Sequence, residues 1–173
     1  MSIGSTDFWR MMVEGRLITT DESELLRAEY AETTSGNSDE AVRLAEWLIG
    51  QKRLSQYQAR ILLAGKGGRF VYGDYRIDDR ISSGRLFGLY AATHLPTGHS
   101  VLLYSVPAAT VELPRNNALL NSQVAAAVQA VHPCLSQTNQ LVDFGKQKFV
   151  VMETLPGRSA DELLADGKRV SIA

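Results

Sequence analysis

The side chains that could do chemistry are few and scattered along this chain. Three histidines and the single cysteine have no spacing that would gather them around a metal ion: His94, His99, His132 and Cys134. Asp78 and Asp79 are adjacent carboxylates after a predicted strand, where a solvated turn explains them better than acid–base catalysis. More informative is the stretch from Tyr75 to Tyr104, in which a turn at Gly84 and a Pro96-Thr97-Gly98 turn separate apolar strands.

Size and composition describe an ordinary globular protein. At 173 residues the chain is long enough for one large or two small domains. Its net charge of −1 gives no bulk attraction to nucleic acid or to an anionic membrane. The N-terminus has no signal-peptide pattern and no apolar run approaches ~20 residues. Because one cysteine also fits a reducing compartment, we expect a soluble, cytoplasmic protein.

The first third of the chain has the apolar spacing of helices, from about residue 5 to 65. Thr19 followed by Glu22 is a capping-box pattern that predicts the start of a second helix. Ser38 is predicted to cap a third helix that stops at Gly50. A fourth helix is predicted to open at Ser55 and to end at residue 65.

These helices look like one hairpin used twice. A shift of 36 positions places Thr19 on Ser55 and pairs apolar residues with apolar residues: Phe8 with Leu44, Met12 with Leu48, Val13 with Ile49, Ile18 with Leu54, Leu25 with Ile61 and Leu26 with Leu62. A helical hairpin cannot bury its apolar face alone, so two stacked hairpins are a natural arrangement. A chance similarity between two amphipathic hairpins is the alternative.

The glycines at residues 66–69 mark a junction between two predicted domains, a helical one over 1–66 and a second over 70–173. Strands are predicted near 70–72, 75–82, 87–95, 100–106, 139–143 and 147–153, and a short helix after Ser159. A long helix over 115–131 interrupts them. Its predicted apolar face consists of Leu119, Leu120, Val124, Ala127, Val128 and Val131.

The order of these elements resembles the small lobe of a protein kinase, most closely a bacterial serine/threonine kinase, over residues 72–170. Several local strings match in order: the Pro96-Thr97-Gly98 turn before the lysine strand, His132-Pro133 after the helix, and Phe149 to Glu153 as the last strand. The resemblance implies an α+β fold: a two-hairpin helical domain, then a five-stranded antiparallel sheet with one long helix. It also implies that residues 153–173 hold the hinge and the start of a large lobe.

The resemblance also implies a nucleotide site, but its phosphate-binding residues are altered. The three glycine positions of the loop are Ser82, Gly84 and Phe87, so two of the three have side chains where bare backbone should approach phosphate. Phe87 is either an exposed hairpin residue or a ring folded under the loop. The adenine slot and hinge keep apolar character at most positions: Ile81, Leu89, Leu102, Met152 at the gatekeeper position, Glu153 opening the hinge, and Leu155.

Both halves of the kinase lysine–glutamate pair are missing. Tyr104 stands at the lysine position, and Gln123 stands at the position of the helix glutamate. Removing one partner of a buried ion pair would strand the other charge at a cost of roughly 3–5 kcal/mol, whereas removing both does not. We therefore expect Tyr104 and Gln123 to lie close together, with a hydrogen bond in place of the ion pair.

Neither an H-R-D catalytic loop nor a D-F-G metal site is present in the expected order. The string Asp143-Phe144-Gly145 precedes the hinge, so it is predicted to be a hairpin turn. Lys146 and Lys148 lie in the same hairpin and are predicted to be too far from the phosphates to replace Tyr104. We expect no catalytic residue, no bound metal and no stabilisation by ATP with magnesium.

The favoured interpretation is a pseudokinase-like small lobe that serves interaction or regulation, with a protein partner or its own large lobe bound to it. No cofactor, nucleic acid or membrane contact is expected. The alternative is the N-terminal part of an active or atypical serine/threonine kinase, which would use ATP and magnesium. A third hypothesis places the function in the helical hairpins, and it predicts an exposed apolar groove there.

Overall fold

A computed structural model of the chain describes residues 3–33, 40–82, 86–145, 147–154 and 157. Contacts divide the chain into two compact units, one formed by residues 1–79 with 93–98 and the other by residues 80–92 with 99–173. In the described part of the chain, no helix is both long and apolar enough to cross a membrane. The predicted cap at Ser38 and the helix after Ser159 lie outside the described residues.

Four helices form most of the first unit: α1 (Ser5–Glu14), α2 (Thr20–Thr33), α3 (Glu40–Gly50) and α4 (Gln56–Leu63). Their core is built from large side chains that the sequence predicted to be buried: Phe8, Met12, Leu44, Leu48 and Leu62. Trp9 is also buried, and Trp47 is partly buried against the same core. One expectation is wrong, since Leu25 is 66% exposed. Position 25 faces outward because Leu26 and Tyr30 supply the inner face of α2.

The two hairpins repeat each other in backbone hydrogen bonds as well as in sequence. Each first helix ends with a bond to the carbonyl four residues back, Gly15 to Met11 at 2.8 Å and Gln51 to Trp47 at 2.9 Å. Each second helix starts with a capping box, in which the Glu22 and Gln58 amides donate to Thr19 Oγ1 and Ser55 Oγ. Reciprocal bonds return from Thr19 N to Glu22 Oε2 at 2.9 Å and from Ser55 N to Gln58 Oε1 at 3.0 Å. The 36-residue repeat is thus a structural feature.

The first unit extends past the predicted junction and takes in the first strand pair. Strand β1 (Val71–Tyr72) pairs antiparallel with β2 (Tyr75–Arg80). Helix α4 is tied to β2 because the Gln58 side chain donates to the Ile77 carbonyl at 2.7 Å and the Ser55 hydroxyl donates to the Asp78 carbonyl. By its contacts the first unit runs to Asp79 and includes residues 93–98, and the domain bounds at residues 66 and 70 stay a prediction.

Six strands form one sheet in the order β1-β2-β3-β4-β6-β5. The remaining strands are β3 (Tyr90–His94), β4 (His99–Ser105), β5 (Thr138–Asp143) and β6 (Lys148–Glu153), and β6 pairs antiparallel with both β4 and β5. The sheet has one strand more than the five that the kinase resemblance implies, because the two-residue β1, predicted near 70–72, adds to β2. The predicted fold class is confirmed in its architecture: helical hairpins are followed by an antiparallel sheet with one long helix.

The long helix α6 (Pro114–Gln129) packs against β5 in the second unit, after a short helix α5 (Ala108–Glu112) that the sequence did not reveal. Pro114 begins α6, where its missing N–H costs no helical bond. Of the predicted apolar face, Val124 is buried, while Leu119 and Val131 are exposed. That part of the prediction is wrong: Leu119 faces away from the sheet, and Val131 lies beyond the end of α6 at Gln129.

Candidate functional site

The glycine-rich segment forms a closed hairpin in the second unit. Ile81 and Leu89 join its two ends, with the Ile81 amide donating to the Leu89 carbonyl at 2.9 Å and the Gly88 amide donating to the Ile81 carbonyl at 2.9 Å. Gly88 has φ +89°, a conformation that glycine adopts without strain. The Phe87 ring is 68% exposed, so it is a surface hairpin residue and does not fill a pocket. Ser82 is also exposed, and Gly84 lies outside the described residues.

The residues assigned to an adenine slot lie in the same unit. Leu102 on β4 and Met152 on β6 are directly opposed in the antiparallel register, so their side chains share one face of the sheet. Leu102 is buried, whereas Met152, Ile81 and Leu89 are partly buried. Leu155 lies outside the described residues. The apolar character predicted for this slot is thus present at the four described positions, although their binding role stays a prediction.

Glu153 is held by the segment that precedes β5. Its amide donates to the Gln137 carbonyl at 2.9 Å, and its carboxylate accepts from the Gln137 amide at 2.9 Å. The Ser136 hydroxyl donates to the Glu153 carbonyl at 3.4 Å. These bonds fix the end of β6, so Glu153 has a clear structural role at the start of the predicted hinge.

Tyr104 lies on the same sheet face as Leu102, in a row that crosses three strands. It opposes Val150 on β6, which in turn opposes Leu141 on β5. The phenol is 43% exposed at the end of β4. Between Tyr104 and Gln123, both of which the structure describes, there is no hydrogen bond, and Gln123 is exposed on α6. The bond that we expected to replace the kinase ion pair is therefore absent.

Lys148, in the next row of this sheet face, connects the sheet to α6 by a hydrogen bond. Lys148 lies two residues before Val150 on β6, so its side chain points to the same face as Tyr104. Its ammonium donates to Asn117 Oδ1 on α6 at 3.1 Å and lies 2.8 Å from Asp143 Oδ2 on β5. Lys148 is only 8% exposed, which makes this a nearly buried cation held by one amide and one carboxylate.

Sequence reasoning placed Lys148 in the last hairpin, too far from the phosphates to replace Tyr104, and that stays a prediction; Lys146 lies outside the described residues, and the bond from Lys148 to Asn117 was not foreseen. Diagonal neighbours on adjacent strands are about 7–8 Å apart, within reach of a long side chain. Alternation along β6 was the signal that could have found it, because positions 148, 150 and 152 face the same way. The bond from Lys148, followed by the Gly145 amide, lowers the pKa of the Asp143 carboxyl below its usual value.

The Asp143-Phe144-Gly145 string is a hairpin turn, as predicted. Asp143 accepts from the Gly145 amide at 2.9 Å, and Gly145 has φ +81°. The Phe144 ring packs on Phe149 with centroids 6.3 Å apart. Across the described ranges, no group of three His, Cys, Asp or Glu side chains could hold a metal ion.

Among the residues that the structure describes, the polar groups of this face are neutral or already bonded. Tyr104 offers a neutral phenol at the lysine position, and the Gly88 amide is already bonded within the hairpin. The cation of this face, Lys148, is engaged by Asn117 and Asp143. The positions assigned to the slot are apolar at the described residues, and the absence of nucleotide binding stays a prediction.

Two crystal structures of the Mycobacterium tuberculosis PknI kinase domain are similar to this chain. Each is 14% identical to it and covers 60% of it, with TM-scores of 0.45 and 0.46. The match covers 42% and 41% of those chains, so this chain spans about two fifths of their length. No family model matches the chain, and no curated protein does.

Proposed function

We propose that this chain is a non-catalytic, protein-kinase-like small lobe that acts as a protein-interaction or regulatory module. The observation that carries the proposal is the pair of roles taken by Tyr104 and Lys148. The position that would hold phosphate has a half-exposed phenol. The nearby cation is nearly buried and bonded to α6 and β5.

This arrangement supports a lobe whose shape is kept and whose phosphate chemistry is lost. In an active kinase the lysine contacts both nucleotide phosphates and the helix glutamate. Here the ammonium of Lys148 holds helix to sheet through Asn117, without a nucleotide. The position of α6 is therefore fixed by the protein itself, which suits a rigid binding surface.

The exposed apolar residues of the second unit suit a protein partner. Besides Leu86, Phe87 and Tyr104, four of them lie on α6 and in the segments at its two ends: Leu113, Leu119, Val131 and Leu135. We propose that this surface contacts a protein partner or the large lobe of the same protein, with no cofactor and no nucleic acid. A net charge of −1 and an exposed free thiol at Cys134 are compatible with a cytoplasmic setting.

A second candidate function is an atypical serine/threonine kinase in which Lys148 takes the part of the missing lysine. The specific observation in its favour is the shared sheet face of Lys148 and Tyr104. Against it, Lys148 would have to leave Asn117 and Asp143 to reach a phosphate. We rank it second for that reason.

Thermal unfolding of the purified chain with millimolar ATP and magnesium tests the two candidates. At 100 times its Kd, a ligand raises the unfolding free energy by about 2.7 kcal/mol. At this chain length each kcal/mol shifts Tm by about 2–4 °C. We expect no shift and no transfer of radioactive phosphate. A nucleotide-dependent shift that disappears in Lys148→Met but survives in Arg115→Met, an exposed cation on α6, would favour the kinase instead.

A further inference from the structure

The two helical hairpins carry the same corner, and among the described residues only the second corner is hydrogen-bonded to another segment of the chain. The first corner comprises residues 15–22 and the second residues 51–58, related by the 36-residue repeat. Both have a left-handed residue after the first helix and a capping box at the start of the next helix. A difference between them therefore reflects what each corner contacts.

The second corner binds an extended strand. Ser55 Oγ donates to the backbone carbonyl of Asp78, and Gln58 Nε2 donates to that of Ile77 at 2.7 Å, both on β2. Gln58 is consequently only 2% exposed. The corner contacts this strand through its backbone, because two adjacent carbonyls accept hydrogen bonds from the side chains of the two capping residues.

The first corner presents the equivalent residues to solvent. Thr19 and Glu22 are exposed, and they line an open groove of about 470 Å³ with Val13, Arg16, Leu17, Ile18 and Thr20. One turn further along α2, Leu25 is exposed where the equivalent Ile61 is partly buried. The groove thus has an apolar floor, a hydroxyl donor and a carboxylate in the places that the second corner uses to bind β2.

The first corner has Glu22 at the position where the second corner has Gln58, and this changes the ligand groups that the first corner can bind. A glutamine amide donates to a carbonyl, whereas a carboxylate only accepts. One oxygen of Glu22 takes the Thr19 amide at 2.9 Å, and that bond lowers the pKa of Glu22, so the group is charged at neutral pH. Arg53 is close enough to contribute to the same lowering, and Arg16 lines the groove. The two arginines oppose added positive charge, so the second oxygen of Glu22 can pair with one cation of a ligand but not with several.

We propose that the first corner binds an extended peptide segment of a partner protein. A backbone carbonyl of that segment accepts from the Thr19 hydroxyl, and one lysine or arginine side chain pairs with Glu22. Apolar side chains of the segment contact Val13, Leu17 and Ile18. This inference does not depend on the kinase-like unit, because every residue involved belongs to the helical hairpins.

The probe is a fluorescein-labelled peptide, Ser-Val-Lys-Val-Ser, with Ser-Val-Glu-Val-Ser as its charge-reversed control. Binding to the full chain is followed by fluorescence anisotropy, and the bound residues are located by amide chemical shifts in NMR spectra. We expect the lysine peptide to bind at least about tenfold more tightly than the glutamate peptide, a difference of about 1.4 kcal/mol. Shift changes should concentrate at residues 13–25.

Glu22→Gln should weaken the lysine peptide about tenfold and leave the fold intact, because Gln58 fills the same capping position in the second hairpin. Glu24→Gln is the matched control, since Glu24 is an exposed acid on the same helix outside the groove, and it should bind as the wild type does. Equal affinity for the two peptides, equal effects of the two variants, or shift changes located elsewhere would overturn the proposal. A dimer in sedimentation, with concentration-dependent amide shifts at residues 13–25, would also overturn it.

Discussion

Arg16 and Lys52 adopt the same left-handed backbone conformation, with φ 58° and 57°, at positions 36 residues apart. Each amide donates to the carbonyl three residues back, Arg16 to Val13 at 3.0 Å and Lys52 to Ile49 at 2.9 Å. Among the residues that the structure describes, they are the non-glycine residues with positive φ. The left-handed conformation causes steric strain in a residue with an L side chain. Because both equivalent positions adopt it, the turn geometry itself is repeated.

Glycine at either position should stabilise the first unit. The left-handed conformation costs a non-glycine residue about 1–2 kcal/mol, and glycine loses about 0.5–1 kcal/mol through its greater freedom in the unfolded chain. We expect Arg16→Gly and Lys52→Gly each to raise the unfolding free energy by about 0.5–1 kcal/mol. Urea unfolding followed by tryptophan fluorescence measures this, because Trp9 and Trp47 both lie in this unit.

The control for these glycine variants is Arg53→Gly, one residue after Lys52 in the same loop. Arg53 is exposed and is not among the positive-φ residues, so glycine there relieves no strain; it brings the entropic cost and loses the charge attraction to Glu22. A midpoint that falls in all three variants would contradict the strain argument.

The two capping residues should differ in their contribution to stability. Thr19→Ala removes a helix cap, which costs about 0.5–2 kcal/mol. Ser55→Ala removes the equivalent cap and also the bond to the Asp78 carbonyl, which adds about 0.5–1.5 kcal/mol. In matched urea unfolding experiments the Ser55 variant should therefore be the less stable one. Equal losses would mean that the bond to β2 adds nothing.

Local patterns explain why so many elements could be predicted from the sequence. Thr19 with Glu22 marks the start of α2 through a bond between residues three apart, and period-two alternation marks β4 and β6. Ser55 predicted the start of α4, although its bond to Asp78, 23 residues away, left no local trace. Structural features that depend only on residues close together in the sequence could therefore be predicted.

Burial and pairing across the fold could not be predicted in the same way. Leu25 and Leu119 fit an apolar periodicity but face outward, because periodicity does not say how wide a stripe its neighbours cover. Lys148 meets Asn117 across 31 positions, and the resemblance to kinases directed attention to Tyr104 instead. The hydrogen bond expected between Tyr104 and Gln123 is absent among the described contacts, and Gln123 is exposed on α6.

Lys148 should be important for the stability of the second unit. Lys148→Met keeps the apolar stem but removes the ammonium from Asn117 and Asp143. Loss of hydrogen bonds to a charged group should lower the unfolding free energy by about 1–3 kcal/mol. Hydrogen exchange of the β6 amides reports on this unit, and Arg115→Met is the control with an exposed cation on the same helix. Unchanged protection of β6 would show that Lys148 does not hold α6 to the sheet.

The ion pair of Lys148 and Asp143 should also make stability depend on pH. The folded-state pKa of Asp143 is lowered, first by the bond from Lys148 and then by the Gly145 amide. Its contribution is therefore present above the unfolded-state pKa of about 3.9, and it is lost as pH falls from there through the folded-state value. Asp143→Asn should be less stable than wild type at pH 7, with the difference in Tm shrinking to nothing in strong acid. Asp74→Asn, an exposed carboxyl in the first unit, should show no such pH-dependent difference. A difference between wild type and Asp143→Asn that stays constant from pH 7 into strong acid would contradict the role assigned to this pair.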